Sequence, residues 1–321
     1  MSDTPSKSRL SDSLGLISEK ALTLKKKLDT TLTIKKITKS RNELFGYLVQ
    51  YFEALTANDP SRLPLSDDVR FTENTKPMKL GEGLWKTASA VKYRYAVVDP
   101  LQGQGGVFCT LQEGDDEHLT LLALRLKVVD KKIAEIETIV SRYAGRALAF
   151  KPEALVVPNP ILTEVVPASE RLPRNQLIYV ANLYLDGLKK SSAEFIPLHK
   201  DCNRLENGLQ TTNNPDLGFI NSLSCAEQMP IFTYLTKIRD RRYPIIDEEL
   251  GLVWCLVMFD VPGTVKTAEL PGYGVFELPP RTQIPRSALV AEIFKIRNGQ
   301  IHYIEAILTG VPLGTGPGWL A

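Results

Sequence analysis

The chain contains one pattern twice. Set against itself at an offset of 133, the sequence aligns without a gap over residues 41–74 and 174–207, with ten of those 34 positions identical. Arg41-Asn42 meets Arg174-Asn175, Leu44 meets Leu177, Tyr51 meets Tyr184 and Leu55 meets Leu188. Pro64-Leu65 meets Pro197-Leu198, Asp68 meets Asp201, and Glu73-Asn74 meets Glu206-Asn207. The match resumes after insertions. Arg94-Tyr95 corresponds to Arg242-Tyr243, Val97-Val98-Asp99 to Ile245-Ile246-Asp247, Val107-Phe108-Cys109 to Val253-Trp254-Cys255, and Lys127 to Ile139 corresponds to Lys295 to Ile307. Self-similarity of this kind constrains the fold before any local reading, because the unit formed by one copy must also suit the other. The 321 residues are therefore expected to divide into an arm (1–40), a first repeat (41–150), a proline-rich linker (151–173) and a second repeat (174–321).

Within each copy the apolar period changes from helical to extended. Leu44, Leu48, Tyr51, Phe52 and Leu55 are spaced for one face of a helix, as are Leu177, Val180, Ala181, Tyr184 and Leu188. Strand-like runs follow at 69–73, 93–98, 106–111, 119–129 and 133–140. Asp130-Lys131 and Asn298-Gly299 fall where hairpin turns are required, and Asn-Gly suits a turn whose two central residues have positive φ. A helix followed by a strand meander predicts an α+β unit.

Composition narrows the function classes. The net charge of +2 disfavours a strongly basic nucleic-acid binder. The charge is also uneven. Residues 1–40 hold nine basic and four acidic side chains, so a basic arm offsets a slightly acidic body. The arm lacks the continuous apolar stretch of a secretory signal, and its Leu14, Ile17, Ala21, Leu24 and Leu28 fall at helical spacing. No apolar run reaches the length of a membrane span. Four cysteines without a C-x-x-C pair do not make a disulfide or zinc framework. G-x-S-x-G and P-loop motifs are absent. A cytoplasmic protein is expected, with neither a metal nor a cofactor.

Asp68-Val69-Arg70-Phe71-Thr72-Glu73-Asn74 followed by Leu80-Gly81-Glu82-Gly83-Leu84-Trp85, with the closing run Leu124 to Arg142, resembles the NTF2-like superfamily, its SnoaL-like and ketosteroid-isomerase-like branch in particular. The second copy, with Asp201 to Gly208 and Thr211-Thr212-Asn213-Asn214-Pro215, resembles a tandem form of it. The resemblance implies two tandem cones, each a curved antiparallel sheet wrapped on N-terminal helices, with a pocket at the wide end. It implies either acid–base chemistry on small organic molecules or binding without chemistry, and it transfers no catalytic residue.

Strand parity selects the candidate site. Alternation places Cys202, Arg204 and Glu206 on one face, equivalent to Val69, Phe71 and Glu73. An inward carboxylate recurs, while an arginine replaces an apolar residue in the second copy alone. Arg204 and Glu206 can pair, as a buried carboxylate requires. His199 stands where the first copy has Ser66, and His302 where it has Ala134. Imidazoles titrate near neutrality and can shuttle protons. These asymmetries place the active pocket in the second repeat, with Glu206, His199, Arg204 and Tyr243 as the catalytic set. Asn207, Asn214, Trp254, Asp247, His302 and Glu305 are the expected substrate contacts. His302 and Glu305 have opposite parity, and Glu305, Tyr243 and Asp247 recur as Glu137, Tyr95 and Asp99, which also suits a structural role. The expected function is a cofactor-independent lyase, dehydratase, isomerase or cyclase acting on a small molecule. The first repeat would act as an internal pseudo-dimer partner, and a further homodimer is left open. The alternative is a non-catalytic small-ligand or protein-interaction scaffold, in which the arm and the tail from Gly314 to Trp319 meet partners.

Overall fold

The structure is a computed structural model that describes residues 40–115, 118–143 and 149–319. The basic arm, 1–40, lies outside the described residues except for its last position. Residues 44–321 form one compact unit.

Helix α1 (40–56) leads into β1 (Leu65–Glu73), β2 (Lys76–Pro77), β3 (Ala88–Asp99), β4 (Gln104–Glu113), β5 (Leu119–Val129) and β6 (Lys132–Ser141). After α2 (Pro160–Thr163), helix α3 (Arg174–Lys190) leads into β7 (Leu198–Glu206), β8 (Leu209–Gln210), the short α4 (Phe219–Ser222), β9 (Lys237–Asp247) and β10 (Leu252–Val261). A separate hairpin, β11 (Thr267–Leu270) with β12 (Gly274–Glu277), precedes β13 (Arg286–Arg297) and β14 (Gln300–Val311). The main strands form two six-stranded sheets, ordered β2-β1-β6-β5-β4-β3 and β8-β7-β14-β13-β10-β9. In each, one parallel pair (β1 with β6, β7 with β14) sits among antiparallel neighbours, so the sheets are mixed.

Local chemistry accounts for these elements. Pro173 precedes the first turn of α3, where its missing N–H costs nothing, and Ser191 ends the helix in the left-handed region. The β5–β6 turn has φ of +48° at Asp130 and +62° at Lys131, and the β13–β14 turn has +48° at Asn298 and +75° at Gly299, as two-residue hairpins require.

Three apolar clusters result. One lies between α1 and the inner face of the first sheet, and includes Leu48, Tyr51, Leu55, Phe71, Trp85 and Leu124. Another lies between α3 and the second sheet, and includes Leu177, Tyr184, Cys202, Phe232, Val290 and Ala306. The third joins the outer faces of both sheets: Tyr93, Tyr95, Phe108 and Leu121 from one, Trp254, Leu256, Ile293 and Tyr303 from the other. Gly106 permits this approach. A Cβ there would come within 2.9 Å of the Trp254 ring, which packs on Phe108 at 4.6 Å.

Polar contacts also cross between the sheets. Arg242 donates to both oxygens of Glu137, and Asp99 accepts from Arg174 and from the Ile246 amide. The proline-rich stretch 151–173, expected as a linker, is packed against the second sheet. The Lys151 amide donates to the Asn207 carbonyl, and the Val166 amide to that of Glu249. Lys295 donates to the Glu164 carbonyl. The C-terminal tail turns back onto the first sheet. There Trp319 donates to Thr72 at 2.8 Å and lies beneath the Arg70 and Arg125 guanidiniums.

Candidate functional site

A cavity of about 340 Å³ opens on the inner face of the second sheet. Its walls are mainly apolar, with Leu188, Phe232, Phe259, Val290 and Leu308 among them. Its ionisable groups are Tyr184 from α3, Glu206 from β7, Glu292 from β13, Tyr234, and arginines 142, 281 and 286, with Ser141, Asn207 and Thr309 as further polar neighbours.

Sheet register fixes the two carboxylates. Glu206 pairs with Ala306, and Ala306 pairs with Glu292. The three stand in one row across β7, β14 and β13. Neighbouring strands lie about 4.8 Å apart, so the two glutamate Cα atoms are separated by about 10 Å. The small side chain between them leaves room for both carboxyl groups to address the space over Ala306.

Arg204 sits two residues from Glu206 on the same face and is 3 % exposed. Its Nε lies 2.9 Å from Glu206 Oε1 and donates to Thr211 Oγ1 at 3.2 Å. Its remaining nitrogens donate to the Tyr184 hydroxyl and to Gln228 Oε1, and its plane lies over Phe232. Gln228 in turn donates to the carbonyls of Thr211 and Ile220. A buried charge is tolerated only with such partners. The segment from 211 to 236, between β8 and β9, supplies most of them.

Glu292 has a different environment. It is 3 % exposed, and its Oε2 has no hydrogen-bond partner. Burial pushes its pKa up to about 8; the nearby Arg204 charge opposes the rise, and Glu206 adds to it. Near neutral pH this carboxyl is mostly protonated, in the wall of an apolar cavity and across one alanine from an ion-paired carboxylate.

The expected residues are divided by the structure. Glu206, Arg204 and Asn207 come together. Asn207 borders the cavity, but its amide is committed to β14, donating to the Leu308 carbonyl and accepting from the Leu308 amide. His199 and His302 stack on each other at 4.2 Å and do not border the cavity. Burial, with the neighbouring His199 charge, lowers the His302 pKa. Tyr243 donates to Asn182 at 2.5 Å. Asn214 donates to the Gln210 carbonyl, and Asp247 accepts from the Glu249 and Leu250 amides in the turn after β9. Trp254 belongs to the core between the sheets. Glu305 accepts from Tyr303, a member of that core, so it lies on the face of β14 opposite Ala306. Trp254 and Glu305, expected as substrate contacts, thus lie between the sheets, where outward parity on β10 and β14 directs them.

Three arginines of β9 are partnered as well. Arg239 pairs with Asp240 and Asp260, Arg241 with Asp186, and Arg242 with Glu137.

Glu292, Tyr184, Gln228, Arg281 and Arg286 went unrecognised in the sequence. For Glu292 a signal existed. The Lys127–Lys295 correspondence, extended three residues upstream, aligns Glu292 with Leu124. Gln228, Arg281 and Arg286 had no such signal, because they lie in or beside segments without a counterpart in the first half.

Among the described residues, no group of three or more His, Cys, Asp or Glu is placed to hold a metal ion, and no helix is long and apolar enough to cross a membrane. Residues 170–308 match a family described as a domain of unknown function (DUF8021). No curated protein matches the chain. Among solved structures, similarity extends to AclR, a candidate hydroxylase from Streptomyces galilaeus, at 14% identity, 34% coverage of this chain, 89% of that chain and a TM-score of 0.28. A candidate ketosteroid isomerase from Kribbella flavida DSM 17836 shows 16% identity, 37% and 91% coverage and a TM-score of 0.27. BvnE pinacolase from Penicillium brevicompactum shows 16% identity, 44% and 90% coverage and a TM-score of 0.23.

Proposed function

We propose that the cavity of the second sheet is the active site of an acid–base enzyme acting on a small organic molecule, of the isomerase, dehydratase, lyase or cyclase type. One observation carries this reading. Glu292 is a buried, largely neutral carboxyl with an unpartnered oxygen, facing an ion-paired carboxylate across Ala306. Two carboxyl groups whose environments differ in this way make a natural acid and base. Glu206, steadied by Arg204, takes a proton from the substrate. Glu292 delivers one to the oxygen that gains charge or departs. A proton donor whose pKa lies near the working pH is the most effective, and positioned proton transfer contributes about 10²–10⁴-fold. The apolar walls keep water from competing. In this reading the proton-transfer role anticipated for His199 passes to Glu292, and Tyr184 replaces Tyr243 as the pocket hydroxyl.

The test is solvent-deuterium exchange. The protein is incubated in D2O with small carbonyl and hydroxy compounds, and label uptake is read by mass spectrometry. Uptake that is lost in Glu292→Gln and in Glu206→Gln, with the fold retained, supports the reading. Uptake at the wild-type rate in both variants refutes it.

A further inference from the structure

We infer that the cavity selects an organic acid, a carboxylate carried on an apolar body, and that Arg281 and Arg286 hold its anionic head. This deepens the active-site reading above and rests on it for the identity of the cavity. The observation behind it is charge without a partner. Arg281 and Arg286 both line the cavity and are both partly buried, yet neither forms an ion pair with any described residue. The Nε of Arg281 is a buried donor with no acceptor at all. Arg286 spends one nitrogen on the carbonyls of Arg281 and Ile284, which fixes its position without neutralising it. Arg142, the third arginine of the lining, provides the contrast: it is paired to Glu113.

Two guanidiniums without an ion pair in a partly desolvated wall are costly unless an anion joins them. Burial pulls both below the ordinary arginine range; Arg286 adds to the fall at Arg281, while Tyr234 opposes it at both and Glu206 opposes it at Arg281. The guanidinium fork matches a carboxylate in two parallel hydrogen bonds.

The strand sets the orientation. Arg286, Ala288, Val290 and Glu292 alternate along the inner face of β13 and all border the cavity. At about 3.3 Å per residue, Arg286 and Glu292 are about 20 Å apart at their Cα atoms. Long side chains shorten that span from both ends. A carboxylate at the arginines would place an apolar body along Ala288 and Val290, against Phe259, and its far end at the Glu292–Glu206 pair. The 280–283 turn, which follows the β11–β12 hairpin, contributes Arg281 to this lining.

Calorimetric titration of the full chain with 2-naphthoate and its uncharged counterpart 2-naphthamide tests the inference. The expected result is that naphthoate binds about tenfold or more tightly than naphthamide, as charge-assisted bonds to arginine predict. Arg281→Met and Arg286→Met should each reduce that preference, and the double variant should abolish it. Naphthamide affinity should stay unchanged, which reports that the cavity is still formed. Naphthoate binding no tighter than naphthamide in the wild type, absence of binding by both included, overturns the inference. So does a preference that survives in the double variant. The titration is repeated in Glu292→Gln, where the preference should persist; failure of the acid–base chemistry and failure of the anion site are thereby separated.

Discussion

The inner faces of the two sheets share a strand order and differ in what stands on it. In the first, one row reads Glu73, Thr138, Leu124; in the second, the corresponding row reads Glu206, Ala306, Glu292. Two residues before the shared glutamate stands Phe71 in one and Arg204 in the other. Glu73 accepts a hydrogen bond from the Leu84 amide, in the short turn that buries Trp85 against Tyr51. Its carboxylate thus serves the backbone of a filled core. In the second half Tyr184, the counterpart of Tyr51, borders a cavity, and Glu206 pairs with Arg204. The same carboxylate position is structural where apolar side chains fill the core and available to a ligand where they withdraw.

The largest effect is expected from erasing this difference at Glu292. Glu292→Gln should lower turnover by about 10²–10⁴-fold, the usual contribution of a positioned proton donor. Glu292→Leu, which copies the first half, should do the same while stabilising the protein at alkaline pH. The folded pKa of about 8 lies above the unfolded value near 4.5. The stability that the neutral carboxyl contributes is therefore complete below about pH 4.5 and lost as pH rises to about 8, at most on the order of 4–5 kcal/mol. Thermal melts of wild type and Glu292→Leu across that window should diverge with rising pH. Parallel curves would mean that Glu292 is not held neutral.

Arg204→Phe, the other exchange toward the first half, should cost about 3–5 kcal/mol, because it strands Glu206 and Gln228 without their buried partner. Denaturant unfolding measures it. A loss under about 1 kcal/mol would place the pair among weak, solvated salt bridges.

These two positions also show what a single sequence conveys. The helix-then-meander order and the parity of β7 were legible, because they depend on periodicity. Arg204 and Glu206 followed from that parity. Trp254 and Glu305 did not: a sheet covered on both faces is apolar on both, so alternation along β10 and β14 cannot tell a helix-facing side from a sheet-facing one. Glu292 was hidden for the same reason, in the almost wholly buried strand β13. Arg281 and Gln228 depend on how inserted segments fold back, which pattern does not encode.

Glu305 sharpens the contrast within the second half itself. It is buried, with Oε1 unpartnered, and burial pushes it up to about 7 while the Tyr303 hydrogen bond opposes the rise. Its carboxyl contributes stability below about pH 4.5 that is lost as pH rises to about 7, at most on the order of 3 kcal/mol. Glu305→Gln should flatten the pH dependence over that window and leave turnover and naphthoate binding unchanged. A fall in turnover matching that of Glu292→Gln would show that the outer face of β14 communicates with the cavity.

The smallest effect is expected where the two halves agree. Asn74 and Asn207 both have φ of +48° and both clamp the neighbouring strand, Asn74 through the Val140 carbonyl and amide and Asn207 through those of Leu308. Each alanine variant loses two hydrogen bonds, at about 1 kcal/mol apiece, and places a Cβ-bearing residue less suited to the left-handed region in the turn. Asn74→Ala and Asn207→Ala should therefore cost similar amounts, about 2–3 kcal/mol, in denaturant unfolding. Only Asn207 borders the cavity, so turnover below the melting range separates its two potential roles. Equal stability losses with turnover unchanged in both variants make the asparagine a strand clamp in either half. A selective loss of turnover in Asn207→Ala would return its amide to the site, and would mean that the second half has put even a shared structural residue to chemical use.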